Sequence, residues 1–233
     1  MNQLQGIDKI YWINLDRSAD RRQSMETLLH DDAFQGISIE RISAVDGQIA
    51  DTVYSQLNLE KKKVTDYEYA CLLSHLNTLR RFSETNDGIA LILEDDVTLE
   101  LKPYWKQTVR EIIDNAPADW EILPLSYITI GYNNKNAPLY DKNINNKYFG
   151  TAAYLINRGA AKKLIQKYYV DGKYKLGPGD NHEADMFLYS KCKTYVYKYP
   201  YFIYKTENTS LIHPNHLHDH ERSKRKIMEM YTP

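Results

Sequence analysis

Short apolar runs alternate along the chain with stretches of helical period. Residues 9–15 (KIYWINL), 89–93 (IALIL) and 150–156 (GTAAYLI) are unbroken runs of strand formers. Each is too short for a helix and reads as a strand buried on both faces. Residues 37–42 alternate and form a second strand. Residues 119–125 (DWEILPL) read as an edge or broken strand, because Pro124 cannot donate to a ladder. Residues 194–199 and 201–205 are strands on either side of Pro200. Between these lie the helical stretches. Ser18 is placed to cap a helix reaching His30, with Met25, Leu28 and Leu29 inward. Thr65-Asp66-Tyr67-Glu68 is a capping box, and the helix it opens carries Tyr69, Leu72, Leu73, Leu76 and Leu79 as one apolar stripe up to about Glu84. Residues 103–115, 160–169 and 181–191 are the remaining helices; the last carries His182, Glu183 and Asp185. Strands alternating with helices predict an α/β domain built on a mixed sheet.

The intervening segments read as connections. Asp46-Gly47 is a turn signal. Residues 51–63 are polar and irregular, with three lysines expected to face solvent or a phosphate. Residues 127–148 are rich in Asn, Lys and Tyr without a period, the mark of a long functional or disordered connection. Residues 171–180 hold three glycines and a proline and read as a loop. No repeat or splitting linker interrupts residues 1–212, which are expected as one domain. Residues 213–233 read as an exposed hydrophilic tail bearing His213, His216, His218, His220 and then Arg222, Lys224, Arg225 and Lys226.

Composition narrows the picture. The chain has 233 residues, 42% hydrophobic and 26% charged, as expected for a globular domain with a sizeable core. Its formal net charge of -1 provides no global field for nucleic acid or an anionic membrane. Two cysteines, Cys71 and Cys192, make neither a zinc spacing nor a disulfide framework, and favour a reducing compartment. Residues 1–9 carry Asp8 and no long apolar stretch, so neither a signal peptide nor a span is expected, and a cytoplasmic location follows. The 20 tyrosines would suit an aromatic groove, but tyrosine among so many Lys and Asn also fits simple compositional bias.

Candidate chemistry concentrates at the end of the third apolar strand, where Glu94, Asp95 and Asp96 follow one another. Adjacent acids there repel unless a cation shares them. Oxygen ligands suit Mg²⁺ or Mn²⁺, especially an ion that also holds phosphates. A solvated acidic turn is the plainer alternative. Asp16, Arg17, Arg21 and Arg22 follow the first strand, where acids can accept from a ribose and arginines can pair with phosphate; a charged helix face would look the same. His75 lies beside the apolar stripe, as either a satisfied core residue or a ligand. An acidic cluster after a buried strand also fits a Mg²⁺-binding, phospho-accepting signalling domain, which would need a lysine near the acids; Lys198 and Lys205 are poor candidates.

The acidic turn resembles the D-x-D site of GT-A nucleotide-sugar glycosyltransferases, with Glu94 and Asp96 at its acidic positions and Glu in place of the first Asp. More of the chain is similar to glycosyltransferase family 25, which includes lipooligosaccharide β-galactosyltransferases and collagen hydroxylysine galactosyltransferases. The matching segments are residues 13–17 with Arg21-Arg22, then 44–47, 73–76, 91–96, 119–123, 150–156 and 185–188, in that order. The resemblance implies a GT-A-type, single Rossmann-like domain with a mixed, mostly parallel sheet. It implies a UDP-sugar donor carrying galactose or glucose, a glycan or hydroxylysine-type protein acceptor, Mn²⁺ or Mg²⁺, and inversion at the anomeric carbon. The donor site would then draw on Asn14, Leu15, Asp16, Arg17, Arg21, Asp46, His75, Glu94 and Asp95. Glu94 and Asp96 would hold the ion, with His213 a further ligand by order along the chain. A carboxylate base must lie across the sugar from the ion and therefore come from a distant segment; Asp185 is the first choice and Glu183 the reserve. The long connection before Gly150 would flank the acceptor.

Overall fold

The computed structural model describes residues 2–129, 137–143, 147–206 and 217–231. The chain opens with β1 (Lys9–Asn14), α1 (Ala19–Leu29) and β2 (Ser38–Ser43). Then come α2 (Ala50–Tyr54), β3 (Leu57–Leu59), α3 (Asp66–Ser83), β4 (Ile89–Glu94) and the short β5 (Val97–Thr98). The next stretch holds α4 (Val109–Asn115), β6 (Ile122–Pro124), β7 (Tyr140–Lys142), β8 (Ala153–Asn157) and α5 (Arg158–Tyr168). Last are β9 (Tyr169–Val170), β10 (Lys173–Leu176), α6 (Ala184–Lys191), β11 (Tyr195–Tyr197), β12 (Ile203–Tyr204) and α7 (Leu217–Met228).

Five strands form the central sheet in the order β2-β1-β4-β8-β6. β2, β1 and β4 pair in parallel, whereas β8 runs antiparallel between β4 and β6. The α/β class and the mixed, mostly parallel sheet expected of a GT-A-type domain are thus present. The three inner strands β1, β4 and β8 are largely apolar because alternate side chains enter two different cores. Ile10, Trp12, Leu91, Leu93 and Leu155 face a core shared with Met25 of α1 and with Phe202. Tyr11, Ile13, Ala90, Ile92, Tyr154 and Ile156 face the other, against the stripe of α3, Leu164 of α5 and Phe187 of α6. Tyr69, Leu72, Leu73, Leu76 and Leu79 are all buried there. The capping box forms in full: Thr65 accepts from the Glu68 amide, and Glu68 accepts from the Thr65 amide at 2.7 Å.

Several segments depart from expectation. Residues 51–63 contain α2 and β3, and β3 pairs in parallel with β10. Residues 171–180 begin with a tight turn at Asp171 (φ 51°) and Gly172, joining the antiparallel β9 and β10. Three-residue ladders are too short to show a period, so pattern reading treats them as loop. The helix expected from residue 103 starts only at Val109, where Thr108 and Glu111 form a second capping box. The expected strand at 150–156 starts at Ala153, since Gly150 (φ 85°) and Thr151 belong to a turn. Ser18 precedes α1 but makes no side-chain cap bond. The connection at 127–148 contains β7, paired with β11, and buries Tyr127 and Tyr148 in its described parts. The segment expected as an exposed tail contains α7, which buries Ile227 and docks through Ser223 Oγ, accepting from the Thr129 amide at 2.9 Å.

Candidate functional site

The carboxyl ends of the parallel strands β1, β2 and β4 meet at one edge of the sheet, with Asn14 opposite Ser43 and Ile13 opposite Glu94. This is where ligands bind in open α/β sheets. Because β8 is antiparallel, its approach through Gly150 and Thr151 reaches the same edge, and the Glu94 amide donates to the Ala152 carbonyl at 2.9 Å.

The three acids there have different partners. Glu94 Oε1 accepts from Thr151 Oγ1 at 2.6 Å and lies 3.3 Å from His75 Nε2. Burial pushes its pKa up, but the His75 and Thr151 hydrogen bonds and the charges of His75 and Arg21 outweigh it and hold the acid below its ordinary value. Asp95 accepts from Asn14 Nδ2 and from Arg21 at 2.7 Å each, yet burial keeps its pKa raised. Asp96 differs from both. Its Oδ1 is buried with no hydrogen-bond partner, and burial followed by the charge of Glu94 pushes its pKa up to about 7. A buried carboxylate oxygen without a partner is costly. A divalent cation would satisfy it and neutralise the repulsion with Glu94, so Glu94 and Asp96 fit a hard ion bound through oxygen. The backbone of this turn is held by β12, whose strand end brings the Lys205 amide to the Asp96 carbonyl at 2.8 Å.

Around the acids, Asn14, Asp16 and Arg21 join Asp95 in one hydrogen-bonded network, and Arg17 with Asp46 forms a separate pair. Arg41 donates to Asn14 Oδ1 at 2.9 Å and to Asp16 Oδ1 at 2.6 Å, and Ser43 Oγ donates to Asp16 Oδ2 at 2.6 Å. The Ser43 bond, then that from Arg41, holds Asp16 below the usual carboxylate range. Arg17 reaches over to Asp46 at 2.6 Å and lowers its pKa. The Leu15 carbonyl accepts from the Ser18 amide at 2.9 Å, closing the turn that presents Asp16 and Arg17. Ser74, beside His75 on α3, accepts from the Val45 amide at 2.9 Å and so ties the Ala44 to Gly47 loop to the helix. Gly47 packs on that helix: a Cβ there would lie 2.7 Å from Tyr67 Cα.

Asp185 lies in the first turn of α6. Its Oδ2 accepts from the Gly150 amide and its Oδ1 from the Met186 amide, each at 2.7 Å. Burial nevertheless raises its pKa, assisted by the charge of Glu94. Glu183, expected within the helix, is instead the residue before it and lines a different space: a cleft of about 830 Å³ with Gly47, Lys62, Lys63, Thr65 and Glu68. One rim of the cleft is set by Lys63, whose ammonium donates to the Pro178 and Asp180 carbonyls. His213 lies outside the described residues. Arg41, Ser43 and Thr151 complete the site without having been singled out as ligands. Thr151 stood within a quoted motif; Arg41 looked like an ordinary charge in an alternating strand.

The profile described as "Glycosyltransferase family 25 (LPS biosynthesis protein)" matches residues 7–172. The "Glycosyltransferase 25 family member" of Aedes aegypti is 27% identical over 197 residues, covering 78% of this chain and 31% of its own length. "Procollagen galactosyltransferase 2" of Mus musculus is 30% identical over 177 residues, covering 69% of this chain and 28% of its own. The chain thus spans about a third of the length of these curated relatives. Among solved structures, a glycosyltransferase involved in glycosylating the major capsid of PBCV-1 aligns over 94% of this chain and 98% of its own, at a TM-score of 0.42 and 11% identity. A likeness at that score adds nothing to the sheet order described above. Among the described residues, no helix is long and apolar enough to cross a membrane.

Proposed function

We propose that this chain, which belongs to glycosyltransferase family 25, moves a hexose, galactose or glucose, from a UDP-sugar to a hydroxyl of a glycan or a hydroxylysine-type protein acceptor. The observation that carries this reading is the unpartnered Asp96 oxygen in an otherwise satisfied network at the ligand edge of the sheet. Glu94 and Asp96 would hold Mn²⁺ or Mg²⁺. When bound, such an ion supplies a Lewis acid that offsets the negative charge growing on the leaving nucleotide. Asp95 serves differently, fixing Asn14 and Arg21 beside the diphosphate. Asp16, Arg41 and Ser43 shape the ribose and base end of the site.

The transfer is a single displacement with inversion. The acceptor oxygen forms a bond to the anomeric carbon as the bond from that carbon to the phosphate oxygen breaks, and UDP leaves with the electron pair. The acceptor proton passes to a carboxylate, Asp185 first and Glu183 in reserve. The raised pKa of Asp185 suits that task, since a base works best with a pKa near the operating pH. The cleft beside Glu183 offers room for the acceptor. A phospho-accepting signalling domain is less well supported, because the Lys205 ammonium is engaged by Ser24 Oγ.

A screen of UDP-galactose, UDP-glucose and other nucleotide sugars for Mn²⁺-dependent hydrolysis and transfer tests the proposal. Wild type is expected to turn over one UDP-hexose, and Asp96→Ala to lose both turnover and metal-dependent donor binding while staying folded. Activity that survives exhaustive chelation would refute the metal role; labelling of Asp96 by a phosphodonor would favour the signalling domain.

A further inference from the structure

Glu94 also faces α3, where His75 Nε2 lies 3.3 Å from its Oε1. Cys71 and His75 are four residues apart on α3 and so share one helix face. Cys71 Sγ, a ring nitrogen of His75 and a Glu94 carboxylate oxygen all lie within 4.8 Å of one another. We infer that this trio is a zinc site which, when occupied, takes Glu94 away from the hard-ion site and blocks transfer.

The donor set decides the ion. One thiolate, one imidazole and one carboxylate are borderline-soft ligands that favour Zn²⁺ over Mn²⁺ and Mg²⁺, whereas Glu94 with Asp96 offers oxygen alone. Ligands about 2.0–2.3 Å from a tetrahedral zinc lie closer together than 4.8 Å, so binding would draw the three side chains inward. The ring is already aimed. His75 Nδ1 lies 3.1 Å from the Tyr154 hydroxyl, an outer-shell partner that can accept from Nδ1–H once Nε2 gives up its hydrogen bond to Glu94 and turns its lone pair to the ion. Access comes through Glu94, whose side chain is 29% exposed while that of His75 is 1% exposed. Binding replaces the thiol proton of Cys71, which passes to solvent, and leaves the fourth position to water. The trio draws on one shared acid, so zinc and the hard ion compete for Glu94.

The binding claim stands independently of the proposed transferase activity; the inhibition claim rests on it. Co²⁺ serves as the spectroscopic probe on the full chain. Wild type is expected to bind one Co²⁺ with thiolate charge-transfer absorption in the near ultraviolet, displaced by Zn²⁺. Cys71→Ser should lose that absorption, and Cys192→Ser, which changes the only other cysteine, should keep it. No thiolate band in the wild type, or a band unchanged in Cys71→Ser, overturns the site. In the transfer assay with Mn²⁺, Zn²⁺ should inhibit the wild type. Cys71→Ser should keep its basal rate and need on the order of 10-fold more Zn²⁺ for half-inhibition, since even outer-shell partners of metal sites are worth about 10–100-fold in affinity. Equal inhibition of the two proteins overturns the regulatory claim while the absorption data still decide the site. If no donor is turned over at all, the absorption data alone carry the test, and that failure belongs to the transferase reading.

Discussion

Asp185 accepts two amide hydrogen bonds, which favour the charged carboxylate, and is still harder to ionise than a free aspartate because burial outweighs them. The same geometry gives it two possible jobs. As the base it receives the acceptor proton; as an anchor it pins the Gly150 turn to α6. Asp185→Asn separates them. We expect kcat to fall by roughly 10²–10⁴-fold, the worth of a general base, with donor KM and fold retained. If anchoring were the whole role, the loss would instead be about 1–3 kcal/mol of stability from an amide left without its acceptor, with turnover nearly intact. Measuring kcat, donor binding and melting temperature on this one variant decides, and a folded enzyme of near-normal kcat moves the search to Glu183. Charge runs disclosed these acids but could not rank them. Asp95 and Asp96 are neighbours of identical type, and only the structure shows one satisfied by Asn14 and Arg21 and the other left with a bare oxygen.

Helix α3 does more for the site than supply core. Its capping box sets where it starts, Ser74 holds the Val45 amide, and its Tyr67 backbone abuts Gly47. Gly47→Ala would push a methyl into backbone at 2.7 Å, which no side-chain rotation relieves. The loop bearing Asp46 must then shift, and Arg17 with it. We expect a raised donor KM with kcat much less affected; an unchanged donor titration would detach this loop from the nucleotide. The same helix holds the segment leading into α6 through a buried pair, Tyr69 Oη and His182 Nδ1 at 2.8 Å. Burial holds His182 below its ordinary value of 6.5, so it stays neutral in the fold while the unfolded chain takes up a proton. Its contribution is present above that pH and lost as pH falls through it toward the folded value. Wild type should therefore lose more melting temperature between about pH 7.5 and about pH 5.5 than His182→Gln does. Equal losses would remove His182 from the acid sensitivity.

At the scale of the molecule, the C-terminal helix α7 is part of the core. Ile227 is 1% exposed and joins the cluster that holds Trp105, Phe202 and Tyr204. Ile227→Ala should cost about 2–5 kcal/mol, the range for a buried isoleucine cut to alanine. A change too small to resolve in a urea titration would mean that the helix is a loose appendage. α7 was hidden because His, Lys, Arg and Glu dominate residues 218–226 and the two buried positions, Ser223 and Ile227, are too few to mark a stripe. Its docking onto β12 matters for the site, since the strand carrying Tyr204 brings the Lys205 amide to the acidic turn.

Local chemistry alone determined the long elements and the place of the acids. Strand runs such as IALIL, the stripe on α3 and the Thr65 capping box each carry enough positions for their period to stand out from composition. A buried strand followed by three carboxylates must end at a polar site, because no apolar surround could hold them. The tertiary structure decided which strands are neighbours and in which direction they run. The antiparallel insertion of β8 between β4 and β6 carries Thr151 to Glu94 and Gly150 to Asp185, contacts 57 and 35 residues apart in sequence. It also decided the division of labour among the acids, since a carboxylate's pKa and its free lone pairs depend on burial and on partners such as Arg21, Asn14 and His75 that no spacing along the chain connects to it. Short partners such as β3, paired with β10, and β5, paired with β12, exist only because the larger framework holds them, and β3 and β5 for that reason leave no signal in the order of residues, whereas β12 lies within the expected strand 201–205.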